Sequence, residues 1–529
     1  MSRRRRQAAQ HQRGRRPPPP SHRPVKARAD RVPAAAAWEA VRATLFREPT
    51  EEDRKASALA RVWGAYREAH DAAILGAHGA PQLYHRTFHL AQDLYDSDPH
   101  GPVSESCLEA IVLLLWELWQ LDRDQFPIAL SIQFATELAR RQPLAANSWY
   151  VLGHLHQNAG DWPRALGCAR LAARLDPLRS PAWVHIGICE LALGDVEGGR
   201  RALEHSVALK PEPEGSEVDE TGFQRWFILG HYGAGWRGWA RLNDRMLNGS
   251  ARVGPRVRPL VGRPHWAGER VGGRVLLYME HGHGDTLQML RWVPEVRDRV
   301  GGLTLRVRPE MVPLLAKQWE GVEVTSHLEA PGDFDQCVLS YSLPAIFGVE
   351  HPDHVARPPY LRPPGTFRRL PGAFRVGLRW AGDRAHTYDL LRSTSLADWA
   401  PLLDVPGVTF YSLQVGRGSE QLGPFADRIQ DLAPELTDWA QTAAAMADLD
   451  LVISVDTSCS HLAGALGRPV WICLPAAPEW RWMLERTDTP WYASARLFRQ
   501  PRAGDWSSVF AEVARALQGR VASTTVAAA

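Results

Sequence analysis

Apolar residues recur at three- and four-residue spacing from about Ala36 to Leu209, with few β-rich runs, which predicts helices throughout that stretch. After Gly273 the period changes. Short apolar runs, 274–280, 303–307, 322–325 and 336–339, read as buried strands, with helical patterns from Thr286 and over 310–318 between them. A second block opens at Phe374, with strands over 375–380, 408–414, 451–455 and 469–474 and helices over 396–403, 438–449 and 457–466. Strand–helix alternation of this length predicts two parallel α/β sheets, joined by the proline-rich stretch 358–371. The expected organisation is a tail over 1–35, a helical domain over 36–235, a linker over 236–272, a Rossmann-like domain over 273–365 and a second over 372–520. A ligand cleft is expected between the sheets, at the carboxyl ends of their strands.

The helical region contains a repeat. Trp149, Gly153, Gly160, Asp161 and Pro177 recur as Trp183, Gly187, Gly194, Asp195 and Pro211, each 34 residues on. That is the tetratricopeptide period. A bulky aromatic beside a glycine lets two helices pack closely, Gly-Asp makes the turn, and proline ends the second helix because it cannot continue the hydrogen-bond ladder. Pro143 stands 34 residues before Pro177, so a degenerate unit is expected over 108–143. Such repeats serve as concave surfaces for a peptide or protein.

Composition narrows the class. With 45% hydrophobic and 23% charged residues, the 529-residue chain matches neither a disordered nor a collagenous protein. The longest apolar run, 110–116, is far shorter than the ~18 residues of a membrane span. Residues 1–31 hold eleven Arg and Lys against Asp30 alone, giving +10; the chain total is +3, so the remainder carries −7. The tail cannot bury enough apolar surface to fold. Nucleic-acid binding is not expected, because the body is acidic and Arg richness runs through the whole chain. Six scattered cysteines, without C-x-x-C spacing, fit neither zinc nor a disulfide framework, so a reducing, cytoplasmic setting is expected. No secretory signal is expected either, since 7–20 is polar and proline-rich.

Three strand-end turns carry the candidate chemistry. In Glu280-His-Gly-His-Gly-Asp-Thr286, Gly282 and Gly284 permit a tight turn and close ligand approach. Asp285 is a candidate general base at the cleft and equally an ordinary helix N-cap. His281 and His283 lack the further acidic or cysteine partner that a metal site requires. In Asp456-Thr-Ser-Cys-Ser-His461, helix-start N–H groups with the hydroxyls of Thr457 and Ser458 suit a diphosphate. Asp456 suits a sugar hydroxyl or a cap, and His461 lies on the same face. In Trp380-Ala-Gly-Asp-Arg-Ala-His386 with Arg392, a small-residue turn at Gly382 and a guanidinium fork suit phosphate. Gln414, ending the next strand, is placed to read a ribose or base edge. The Asp-x-Asp triplets 122/124, 333/335 and 448/450 are read as chance.

These segments, with 376–382, 412–414, 450–457, 461–471 and 477–482, resemble one family. It is the bacterial tetratricopeptide proteins with a C-terminal GT-B glycosyltransferase domain similar to the heptosyltransferase family 9 group. The resemblance implies an α plus α/β fold, with helical repeats followed by a GT-B pair of Rossmann-like domains. It implies an inverting, metal-independent transfer of a sugar from a nucleotide diphosphate to a hydroxyl, with the nucleotide sugar as substrate and no cofactor. By it Asp285 is the catalytic base. Gly284, Trp380, Gly382, Arg392, Gln414, Asp456, Thr457, Ser458 and His461 hold the donor, and the repeats bind an acceptor protein or glycan. The competing expectation is a non-catalytic repeat scaffold carrying a degenerate GT-B domain.

Overall fold

A computed structural model describes residues 51–74, 80–101, 103–121, 126–210, 225–248, 257–327, 334–383, 386, 389–477 and 479–528. The basic tail, Pro211, Asp122, Asp124 and Asp333 lie outside these residues. Residues 55–529 form one unit.

The 34-residue period sets three of the four boundaries of two helix pairs, the fourth falling one residue later. Helices Ala146–Asn158 and Trp162–Leu175 are repeated as Ser180–Leu193 and Val196–Leu209. Gly160 and Gly194 turn the chain at φ of +76° and +91°, where other residues are strained. Asp161 and Asp195 then cap the following helices by accepting from the N–H of Arg164 and Gly198. The tryptophans tie unit to unit: Trp149 donates its indole N–H to the Pro143 carbonyl and Trp183 to the Pro177 carbonyl, both at 3.0 Å. The degenerate unit is present as helices Ser104–Leu121 and Ile128–Arg141. The repeat glycines are needed for close approach, since a Cβ on Gly187 would lie 2.7 Å from Leu203 Cγ. Gly187→Ala is therefore expected to destabilise the repeats by about 1–3 kcal/mol through overpacking, read as a lowered denaturation midpoint.

The chain departs from the expected linker over 236–272. Helix Tyr232–Leu247 runs into it, with Trp236, Trp239 and Leu247 buried. Its glycines gave an irregular look, yet Gly235 abuts the Phe227 ring, which leaves no room for a Cβ. The helix packs on the first sheet domain, where Asn243 donates to Ser342 Oγ at 2.9 Å.

Strands β1 (Val271–Tyr278), β2 (Val300–Arg306), β3 (Val322–Thr325) and β4 (Gln336–Leu339) form a parallel sheet in the order β3-β2-β1-β4. Strands β5 (Phe374–Arg379), β6 (Val408–Ser412), β7 (Ile429–Asp431), β8 (Leu451–Val455), β9 (Val470–Leu474) and β10 (Ala495–Arg499) form a second, in the order β10-β9-β8-β5-β6-β7. All its pairings are parallel. β8 and β9 are buried along their whole length, as expected of strands covered on both faces. β7, β10 and the terminal helix Trp506–Ala528 were not legible as elements. The order reverses at β1 in the first sheet and between β5 and β8 in the second. Ligand crevices form at such points. The turns after β1, β5 and β8 are the three that carry the candidate residues.

Candidate active site

The turn after β1 meets the turn after β8 across one cavity of about 500 Å³. Gly284 sits against the other lobe so closely that a Cβ would lie 2.9 Å from His461 Cδ2 and 3.5 Å from Ser458 Oγ. Asp285, Gly284, Gly382, Arg392, Asp456, Thr457, Ser458 and His461 all line this cavity, so one space collects most of the expected site from both lobes.

Trp380 and Gln414 do not line it. Both are fully buried, and their side chains hold loops together. Gln414 Oε1 accepts from the backbone N–H groups of Trp380 and Ala381, while its amide donates to the carbonyls of Ala381 and Arg417. The Trp380 indole donates to the Gly418 carbonyl at 3.1 Å. The reason is strand alternation: neighbouring side chains leave a strand on opposite faces, so Arg379 reaches the cavity and Trp380 cannot. Gln414→Leu would leave three buried backbone groups, and the part-buried Arg417 carbonyl, without this partner. It is expected to lower unfolding free energy by about 2–3 kcal/mol, measured by denaturant titration.

Asp285 lines the cavity and is not the expected helix N-cap: Gly282 is, and Asp285 stands at the third helical position. Its Oδ2 accepts from the Gly282 N–H at 2.9 Å, and its Oδ1 accepts from the Tyr341 hydroxyl at 2.7 Å and from the Arg481 guanidinium. Burial by itself would raise its pKa. The Arg481 charge, with His281 and the Tyr341 hydrogen bond, outweighs burial and holds the carboxyl well below the usual carboxylate range. Arg481 also donates to Glu479, to Tyr341 and, from Nε, to Gln288 Oε1 at 2.7 Å. Burial pushes Glu479 up to about 7 against the pull of Arg481, with Asp456 adding to the rise.

One side of the cavity is cationic. Arg308, Arg379 and Arg392 line the cavity beside helix Ser458–Ala465, which Thr457 caps. Arg392 is held from behind by the buried Asp389, 3.5 Å away. Gly382 makes room for it, because a Cβ there would lie 2.8 Å from Arg392 Nη2. His461 is kept neutral by burial, which pushes it down to about 4; its Nδ1 is 2.8 Å from the Tyr492 hydroxyl and its ring stacks on Trp482. His386 also lines the cavity, at its solvent-exposed rim. Leu413, Val415, Leu436 and Trp439 supply the apolar wall.

Two expected non-sites have structural partners. Asp448 and Asp450 both pair with Arg375, and Asp335 accepts from the Arg274 N–H at 2.7 Å. His281 packs on the Tyr341 ring and His283 on Trp439. Among the described residues no group of three or more His, Cys, Asp or Glu is arranged to hold a metal. Nor is any described helix long and apolar enough to cross a membrane.

Residues 418–474 match the family model of glycosyltransferase family 9 (heptosyltransferase). That segment contains Asp456, Thr457, Ser458 and His461, whereas Asp285 and Arg392 lie outside it. The chain is 27% identical over 425 residues to protein FlbA of Caulobacter vibrioides, covering 72% of this chain and 68% of FlbA. Among solved structures, the ADP-heptose lps heptosyltransferase II of E. coli aligns over 48% of this chain and 99% of its own, at 13% identity and a TM-score of 0.33. A mutant O-GlcNAc transferase of Thermobaculum terrenum aligns over 88% and 92%, at 14% identity and a TM-score of 0.25. The chain carries tetratricopeptide-like helical repeats followed by a pair of parallel Rossmann-like sheet domains. Within the second of these domains, residues 418–474 are similar to the family 9 glycosyltransferases.

Proposed function

We propose that the chain moves a sugar from a nucleoside diphosphate to a hydroxyl of an acceptor, with inversion and without a metal or other cofactor. The observation that carries this reading is the meeting of Asp285, from one lobe, with the helix start at Ser458, from the other, in one cavity. Its volume of about 500 Å³ lies within the ~300–1,000 Å³ range of small-molecule sites.

In this mechanism the acceptor oxygen attacks the anomeric carbon as the bond from that carbon to the diphosphate oxygen breaks. Asp285 takes the hydroxyl proton. The diphosphate leaves with the bonding electrons, and its charge is met by Arg379, Arg392 and the N–H groups that open helix Ser458–Ala465. These donors are fixed before the reaction begins, the arrangement that makes electrostatic stabilisation effective. Asp456 accepts from a donor sugar hydroxyl. The apolar wall of Leu413, Val415 and Trp439 packs against the base. The repeats supply a surface for the acceptor, as a protein or glycan, or for a partner.

A thermal-shift series with nucleoside diphosphates of different base tests this reading. One base is expected to raise the melting temperature selectively, because a ligand at 100 times its Kd stabilises by about 2.7 kcal/mol. No shift with any of them would oppose it.

A further inference from the structure

The proposed base is an isolated oddity if it is considered alone. A general base works best with a pKa near the working pH, yet Asp285 is tied on both oxygens and strongly favoured as the anion. Its main partner comes from the far side of the cleft. Arg481 lies in the second lobe and 196 residues away in sequence, and it reaches Asp285, Gln288 and Tyr341, all in the first lobe. Its remaining side-chain hydrogen bond, to Glu479, stays within its own lobe. The guanidinium is buried, and its planar face lies over the Trp480 ring, 4.4 Å from the centroid. Trp480 is wedged in turn against Phe227 and Trp236, at 4.5 and 5.4 Å between centroids, so the helices that follow the repeats fix this loop.

We infer that Arg481 is a positioning residue for the transfer reaction: it crosses the cleft to hold Asp285 ionised and aimed while the lobes are together, with Glu479 anchoring it from behind. This rests on the reading of Asp285 as the base. Because Asp285 and Arg481 belong to different lobes, any opening of the cleft separates them and leaves Asp285 without its counter-charge. Proton affinity at the reacting end is thereby coupled to closure. The other groups that face Asp285 are Tyr341 and His281 from its own lobe, and His461, Asp456, Glu479 and His386 from the second. His281 and His461 add to the pull that favours the anion, more weakly than Arg481, and the two carboxylates oppose it. Arg481 is the group that decides the balance.

The test follows the carboxyl carbon of Asp285 by NMR in full-length protein labelled with carbon-13 aspartate, the signal being assigned by its loss in Asp285→Asn. In the wild type it should not titrate between pH 5 and 9. In Arg481→Gln burial acts without the counter-charge, and the midpoint should rise by at least two pH units above the wild-type value. Arg481→Lys should restore most of the difference. Tyr341→Phe removes one hydrogen bond and should move the midpoint by a smaller step in the same direction, which keeps the test available if Arg481→Gln does not fold. Unchanged titration in both Arg481→Gln and Tyr341→Phe would overturn the inference. So would loss of nucleoside diphosphate affinity in Arg481→Gln with Asp285 titrating as in the wild type, since Arg481 would then be a donor ligand. The titration needs no turnover, so an inactive wild type would count against the transferase reading and not against this one. Where transfer is measurable, the acid limb of kcat/KM should move up with the Asp285 midpoint.

Discussion

Asp285→Asn is expected to reduce sugar transfer by about 10²–10⁴-fold while nucleoside diphosphate affinity stays within a few-fold of wild type. The magnitude is that of a lost general base. The split follows from geometry: Asp285 stands on the first lobe, whereas Arg379, Arg392 and the helix start at Ser458 stand on the second. An Asn side chain retains an oxygen to accept from the N–H of the N-cap Gly282, so this bond to the helix start survives the substitution. Steady-state turnover with a nucleotide sugar, set beside calorimetric affinity for the matching diphosphate, separates the two effects. Equal transfer by wild type and variant would remove Asp285 from the mechanism. A wild type that binds the diphosphate but never turns over would favour the scaffold alternative.

The largest expected effect on stability comes from Arg291. Its side chain is 1% exposed, and it donates to the carbonyls of Gln288, Val355 and Trp491 and to the Tyr360 hydroxyl. Its guanidinium also lies over the rings of Trp491, Tyr360 and Tyr492. It joins the first lobe to the segment that follows β9 of the second. Hydrogen bonds from a charged donor contribute about 1.5–3 kcal/mol, and carbonyls left unpaired add to the loss. Arg291→Met fills similar volume without replacing any donor. It is expected to destabilise by about 3–5 kcal/mol, roughly 6–20 °C in melting temperature at ~2–4 °C per kcal/mol. A shift below 2 °C would show that the inter-lobe contact is maintained without it.

What could be read along the chain was whatever repeats locally. The 34-residue period located both helix pairs, and buried apolar runs located β3, β4 and β8 to the residue. Strand-end turns pointed to the three loops that meet at the cavity. What escaped notice depends on distance in sequence. Tyr341 and Arg291 carry no local pattern, and segment 477–482 was matched only as a resemblance; the contacts that matter, Tyr341 to Asp285, Arg481 to Asp285 and Arg291 to Trp491, span 56, 196 and 200 residues. Asp389 escaped because a buried carboxylate behind an arginine looks like any helix-start Asp. The donor role expected for Trp380 and Gln414 had the position right and the facing wrong. One step of strand alternation puts Arg379 into the cavity and Trp380 into the core. Helix Tyr232–Leu247 was obscured by Gly233, Gly235 and Gly238, which lower helix propensity but let its tryptophans bury.

The most direct measurement is a crystal structure of the full chain with the nucleoside diphosphate that gives the largest thermal shift. The phosphates should lie between Arg379, Arg392 and the N–H groups opening helix Ser458–Ala465, with the base against Leu413, Val415 and Trp439 and the terminal phosphate directed toward Asp285. A diphosphate bound elsewhere, or a cavity that stays empty at saturating ligand, would contradict the assignment of this cleft as the donor site.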